Sequence, residues 1–105
     1  MNHGLTGGTV AQIHVVLARY PEVEKAMLYG SRAKGNYKPG SDVDLTLLGA
    51  AMTTKILRQI QGDFEDGHMP YSFDISILAQ ITQPDLLDHI HRVGVVFYEK
   101  KPLPA

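Results

Sequence analysis

Hydrophobic spacing along the chain switches several times between a helical and an extended period. Val10, Ile13, Leu17 and Tyr20 share one helical stripe, predicting a helix from about Val10 to Tyr20 that Thr9 caps and Pro21 stops. Glu24 to Gly30 reads as a short strand with Met27, Leu28 and Tyr29 at its apolar end. Ser31 to Ser41 is rich in glycine, lysine and proline and too broken for a long element. Asp42 to Leu48 is a second strand. Ile56, Ile60 and Phe64 recur four apart with Leu57 beside them, predicting a helix over 54–66 that Gly67 and Pro70 end. Ser72 to Leu78 is a third strand. Pro84 opens a last helix with Leu86, Leu87, Ile90 and Val93 inward and Gly94 as its stop. A final strand over Val95 to Tyr98 precedes a loose tail from Lys100 to Ala105. Strands alternating with helices point to an α+β (α/β sandwich) fold.

With 105 residues and no repeat, low-complexity tract or linker, the chain reads as a single domain over 1–105 with its core at about 9–99. Hydrophobic residues make up 44% and charged residues 20%, a globular composition. Ten basic residues against eleven acidic ones leave a formal charge of −1, which argues against a generally basic nucleic-acid binder or a polybasic membrane-surface protein. The absence of cysteine excludes disulfides, thiolate zinc sites and cysteine nucleophiles. No apolar run approaches the ~20 residues of a membrane helix. Met1 to Gly8 lacks the basic start and apolar stretch of a secretory leader, so the expected location is the cytoplasm.

Candidate chemistry concentrates in Gly30-Ser31, ten residues, then Asp42-Val43-Asp44. Residues two apart on a strand share a face, so Asp42 and Asp44 project together while Val43, Leu45 and Leu47 face the core. The third strand repeats this phase: Phe73, Ile75 and Ile77 on one side, Asp74 and Ser76 on the other. If the two strands are neighbours, Asp74 joins Asp42 and Asp44. Three crowded carboxylates repel one another without a counter-charge. Oxygen donors without cysteine or convergent histidine suit Mg²⁺ or Mn²⁺. The loop between Ser31 and Ser41 carries Arg32, Lys34 and Lys38 and no acid. Gly30 permits close backbone approach, and Ser31 adds a hydroxyl at a possible helix start, where N–H groups favour phosphate. An anion cradle beside a carboxylate cluster is what phosphoryl transfer from a nucleoside triphosphate requires.

Plainer alternatives stand beside this. Asp42 can be a turn residue, and Asp44 and Asp74 solvated charges on edge strands. Gly30 to Gly35 has P-loop glycine spacing, but Asn36-Tyr37 stands where Lys-Ser/Thr belongs. The acids do not continue into an EF-hand, and a sugar-nucleotide transferase reading of Asp-x-Asp calls for a far larger domain. His89 and His91 point to different helix faces and read as surface residues, His14 as a helix flank, His68 as a turn residue. Asp63, Glu65 and Asp66 read as a solvated helix end, Met52 and Met69 as packing or partner contacts.

The stretch GSRAKGNYKPGSDVDL, with FDISIL downstream and the ending PDLLDHIHRVGVVFYE, resembles the minimal nucleotidyltransferases of the DNA-polymerase-β superfamily over roughly Val23 to Glu99. The resemblance implies a polymerase-β-like fold, a mixed sheet of about four strands backed by helices. It implies Asp42 and Asp44 as metal ligands and Asp74 as a third carboxylate that binds metal and helps deprotonate an acceptor hydroxyl. Gly30 and Ser31 would hold the triphosphate of ATP, with Arg32 and Lys34 at the family's basic positions, the lysine being a mild departure. Many such domains are antitoxins that transfer AMP to a tyrosine of a small helical HEPN-type ribonuclease toxin, and others pair with a helical substrate-binding subunit. The expected activity is therefore Mg²⁺-dependent transfer of AMP to a hydroxyl on a protein partner, with a non-catalytic module that neutralises its partner by binding alone as the alternative. Neither reading involves nucleic acid or membrane directly.

Overall fold

A computed structural model describes residues 3–100 of the chain. The elements are α1 (Gly7–Ala18), β1 (Lys25–Tyr29), α2 (Gly30–Lys34), β2 (Val43–Leu48), α3 (Thr54–Asp66), β3 (Phe73–Ile77), a 3₁₀ turn (Leu78–Gln80), α4 (Pro84–Val93) and β4 (Val95–Glu99). The strands form one mixed sheet in the order β3-β2-β1-β4, with β2–β3 parallel and the other two pairs antiparallel. Parallel pairing requires a crossover, and α3 supplies it. The α+β architecture read from the sequence is the one found.

Alternation sets the layers. Ala26 and Leu28 of β1 and Val43, Leu45 and Leu47 of β2 are fully buried and join Ile13, Val16 and Leu17 of α1 and Ile60 and Phe64 of α3 in one core. Phe64 also lies 4.6 Å, centroid to centroid, from Phe73 on β3. One face of the sheet is thus covered by α1 and α3, and strand period 2 sends the intervening residues to the other side. There Thr46 is fully buried, and its Oγ1 accepts a 3.0 Å hydrogen bond from Ser76 Oγ.

Several boundaries differ from expectation. Helix α1 begins at Gly7, and its cap is Thr6, whose extended backbone lets Oγ1 accept from the Thr9 N–H at 3.1 Å. Thr9 therefore sits inside the first turn. The helix closes at Ala18, before Tyr20, because the residue ahead of Pro21 disfavours helical backbone. The span of α3 is as predicted, with Thr53 as its cap. Past its end the left-handed residue is His68 (φ 54°), not Gly67. A side chain at 67 would instead collide with Gln12, whose amide donates to the Gly67 carbonyl. Asp63 is not merely solvated: it accepts a 2.5 Å hydrogen bond from the Tyr20 hydroxyl, which pushes that phenol up to about 12. Of the inward positions predicted on α4, Ile90 is buried, and Leu86, Leu87 and Val93 are half-buried. His14 reaches the β4 edge, its Nε2 2.7 Å from the Phe97 carbonyl. Met52 and Met69 pack against the core. Of the predicted tail, only Lys100 is described, its N–H donating to the Glu24 carbonyl and its Nζ to Pro21; residues 101–105 lie outside the described residues. No described helix is long and apolar enough to cross a membrane.

Truncating Leu45 empties the centre of this core, so Leu45→Ala is expected to cost about 2–5 kcal/mol in chemical denaturation.

Candidate active site

Register brings two of the three sequence-predicted acids level with each other. In the parallel β2–β3 pair Asp44 lies directly opposite Asp74, and in the antiparallel β1–β2 pair it lies opposite Tyr29. Asp42 precedes β2 by one residue and is exposed; Asp74 is exposed and Asp44 half-buried. Asp44 is pushed up to about 6, first because burial penalises its charge, then because Asp74 and Asp42 repel it; Arg32 acts the other way. The same crowding reaches Tyr29, whose phenol is raised by burial and by Asp74 and Asp44, against a hydrogen bond with Ser76.

Gly30 forms the turn out of β1. Its φ is +76°, and a Cβ there would overlap the Asp44 carboxylate, so both backbone conformation and space require glycine. Its N–H donates to His89 Nε2 at 3.0 Å. Ser31 follows in α2, half-buried, with its carbonyl accepting from the Gly35 and Asn36 N–H groups. Lys34 is exposed at the end of α2.

Arg32 goes elsewhere. It is 1% exposed, with Nε and Nη2 donating to the Ser41 carbonyl at 3.2 and 2.9 Å and Nη1 to the His3 carbonyl at 2.9 Å. Its guanidinium lies 5.1 and 5.0 Å from the ring centroids of Tyr37 and Tyr71. These partners make Arg32 an internal brace between the loop after α2 and the segment before α1. The cation expected to face a triphosphate is thus folded inward, and the loop's exposed charges are Lys34 and Lys38.

The donor set (three carboxylates, no sulfur) suits a hard divalent cation, and the charge crowding that raises Asp44 is what such a cation would relieve. Among the described residues, however, no three carboxylate or imidazole groups already converge on one point. Sequence reasoning missed Tyr29, the two tyrosines around Arg32, and His89. The last was read as a surface residue, because only the sheet order brings α4 to the end of β1.

A family model described as "Polymerase beta, Nucleotidyltransferase" matches residues 11–103. The chain belongs to this polymerase-β nucleotidyltransferase family. No curated protein matches it by sequence. Solved structures share its fold at low identity. One is a toxin–antitoxin complex with AMP-PNP, at a TM-score of 0.70 and 19% identity over 88% of this chain and 74% of that one. Another is the tri-AMPylated HEPN toxin of Shewanella oneidensis in complex with its MNT antitoxin, at 0.63 and 17% over 87% and 70%. A third, the MntA–HepT toxin–antitoxin, gives the same figures of 0.63 and 17% over 87% and 70%. For this polymerase-β-family domain, the family match extends beyond both ends of the stretch that carries the sequence motifs.

Two outcomes test the geometry. Gly30→Ala is expected to displace the Asp44 side chain and to destabilise the fold by about 1–3 kcal/mol, read from thermal unfolding. Asp44 titrates higher folded than unfolded, so its stabilising contribution is complete below about pH 4 and is lost as pH rises through about 6. Asp44→Asn should therefore raise metal-free stability at pH 7.5 by about 1 kcal/mol, after discounting for solvent screening, and the gain should vanish near pH 4.

Proposed function

We propose that this chain is a Mg²⁺-dependent (or Mn²⁺-dependent) nucleotidyltransferase that moves AMP from ATP to a hydroxyl on a small helical protein, acting as the antitoxin of a HEPN/MNT-type pair. The observation that carries the reading is Asp44 opposite Asp74, with Gly30 seated against Asp44. The family match supports transferase chemistry, and the structures of similar fold include an AMPylated toxin held by its antitoxin.

In this reading Asp42, Asp44 and Asp74 hold the cation, which when bound neutralises phosphate oxygens and aligns donor with acceptor. Gly30 lets the chain pass close to Asp44, while Ser31 and Lys34 meet the triphosphate. Arg32 keeps the loop in shape and sets a buried positive charge behind the acids. Asp74, which is exposed, accepts the proton from the acceptor hydroxyl as its oxygen bonds to the α-phosphorus; the bond to the β-phosphate bridge breaks and pyrophosphate leaves. An acceptor presented by another protein is in keeping with the structures of similar fold, in which a toxin and an antitoxin are held together. The binding-only alternative draws on the lack of three convergent donors among the described residues.

Mass spectrometry of a co-expressed helical partner after incubation with ATP and Mg²⁺ separates the two. The expected result is a mass gain of AMP, lost at least about 1,000-fold with Asp42→Asn/Asp44→Asn while the circular dichroism is unchanged. Undiminished labelling by the double variant rejects the mechanism, and a neutralised but unlabelled partner establishes the alternative.

A further inference from the structure

We propose that His89 is a positioning residue for the candidate nucleotide turn, holding Gly30 in place from α4; this deepens, and rests on, the nucleotidyl-transfer reading. The Gly30 N–H donates to His89 Nε2 at 3.0 Å across 59 residues of sequence. An accepting Nε2 puts the ring proton on Nδ1. The imidazole also stands edge-on to Tyr29, with centroids 6.1 Å apart and planes at 78°. Tyr29 is 7% exposed and is the residue opposite Asp44. His89 therefore touches both residues where β1 turns into α2, one leading to Asp44 through the sheet and the other lying against its carboxylate. The neighbouring Ile90 is buried and anchors α4.

Glycine at φ +76° has no side chain of its own to restrict it, and the bond to His89 ties the turn from outside. This amide is committed to protein, so Gly30 contributes space at the turn instead of a hydrogen bond to a ligand. Histidine holds this bond with a side chain that is half-buried.

The test uses the full chain, ¹⁵N-labelled, with ATP and Mg²⁺ as the probe. Wild type should show a scalar coupling between the Gly30 amide nitrogen and His89 Nε2 across the hydrogen bond. Calorimetry should find His89→Leu weakening ATP binding about tenfold, as loss of one such bond allows, and His89→Gln, whose carbonyl reaches a comparable position, returning to within about threefold. A purely structural role would shift thermal midpoints without separating these variants in ATP affinity. Absence of the coupling, wild-type affinity in His89→Leu, or His89→Gln as weak as His89→Leu overturns the proposal. Should His89→Leu fail to fold, the wild-type coupling and the affinity of His89→Gln still decide it. A wild type that shows the coupling but binds no ATP overturns the nucleotidyl-transfer reading instead.

Discussion

Burial of Val43, Leu45 and Leu47 on one side of β2 is the constraint from which the site follows. Those three side chains are fully covered by the helical layer, so Asp44 is forced to the opposite face. Phe73, Ile75 and Ile77 impose the same phase on β3, and parallel pairing then sets Asp74 level with Asp44. A slip of one residue in either strand would bring a carboxylate into the core and expose an aliphatic side chain. Hydrophobic packing thus holds together two like charges that electrostatics alone would separate.

The electrostatic strain is moderated without being removed. Arg32 sits behind the acids, buried, and draws Asp44 back toward ionisation, yet the net effect on that carboxyl is still upward. The guanidinium donates to the His3 and Ser41 carbonyls and lies against the rings of Tyr37 and Tyr71, contacts that hold its charge in place. Stability given up at the acids is the usual companion of a functional constellation. A cation at the carboxylates would remove much of that strain, and the oxygen-only donor set is suited to one.

Much of the architecture was legible because period-2 and period-3.6 patterns are local. The face carrying Asp44, the span of α3 and the opening of α4 at Pro84 all follow from residues a few positions apart. The adjacency of Asp74 was legible only on the condition that β2 and β3 pair, which the chain does not state until it folds. Arg32 illustrates the limit. Its basic neighbours and glycines suggested a phosphate contact, while its actual partners, His3, Ser41, Tyr37 and Tyr71, come from three separate stretches of sequence. His89 shows the same limit from the other side, since a histidine two positions from another on a helix gives no hint of an amide 59 residues away. The start of α1 was misplaced because Thr6 and Thr9 are both sound caps, and the choice rests on backbone angles instead of residue type.

The carbonyls of His3 and Ser41 both receive the Arg32 guanidinium, so the segment before α1 is stitched to the loop beside the acids. His3 is thus one hydrogen bond away from the guanidinium that draws Asp44 back toward ionisation. A protein handled through a tag ahead of His3 is best compared with an untagged preparation, because a pull on that carbonyl is felt at Arg32 and, through it, at the loop that leads into Asp42.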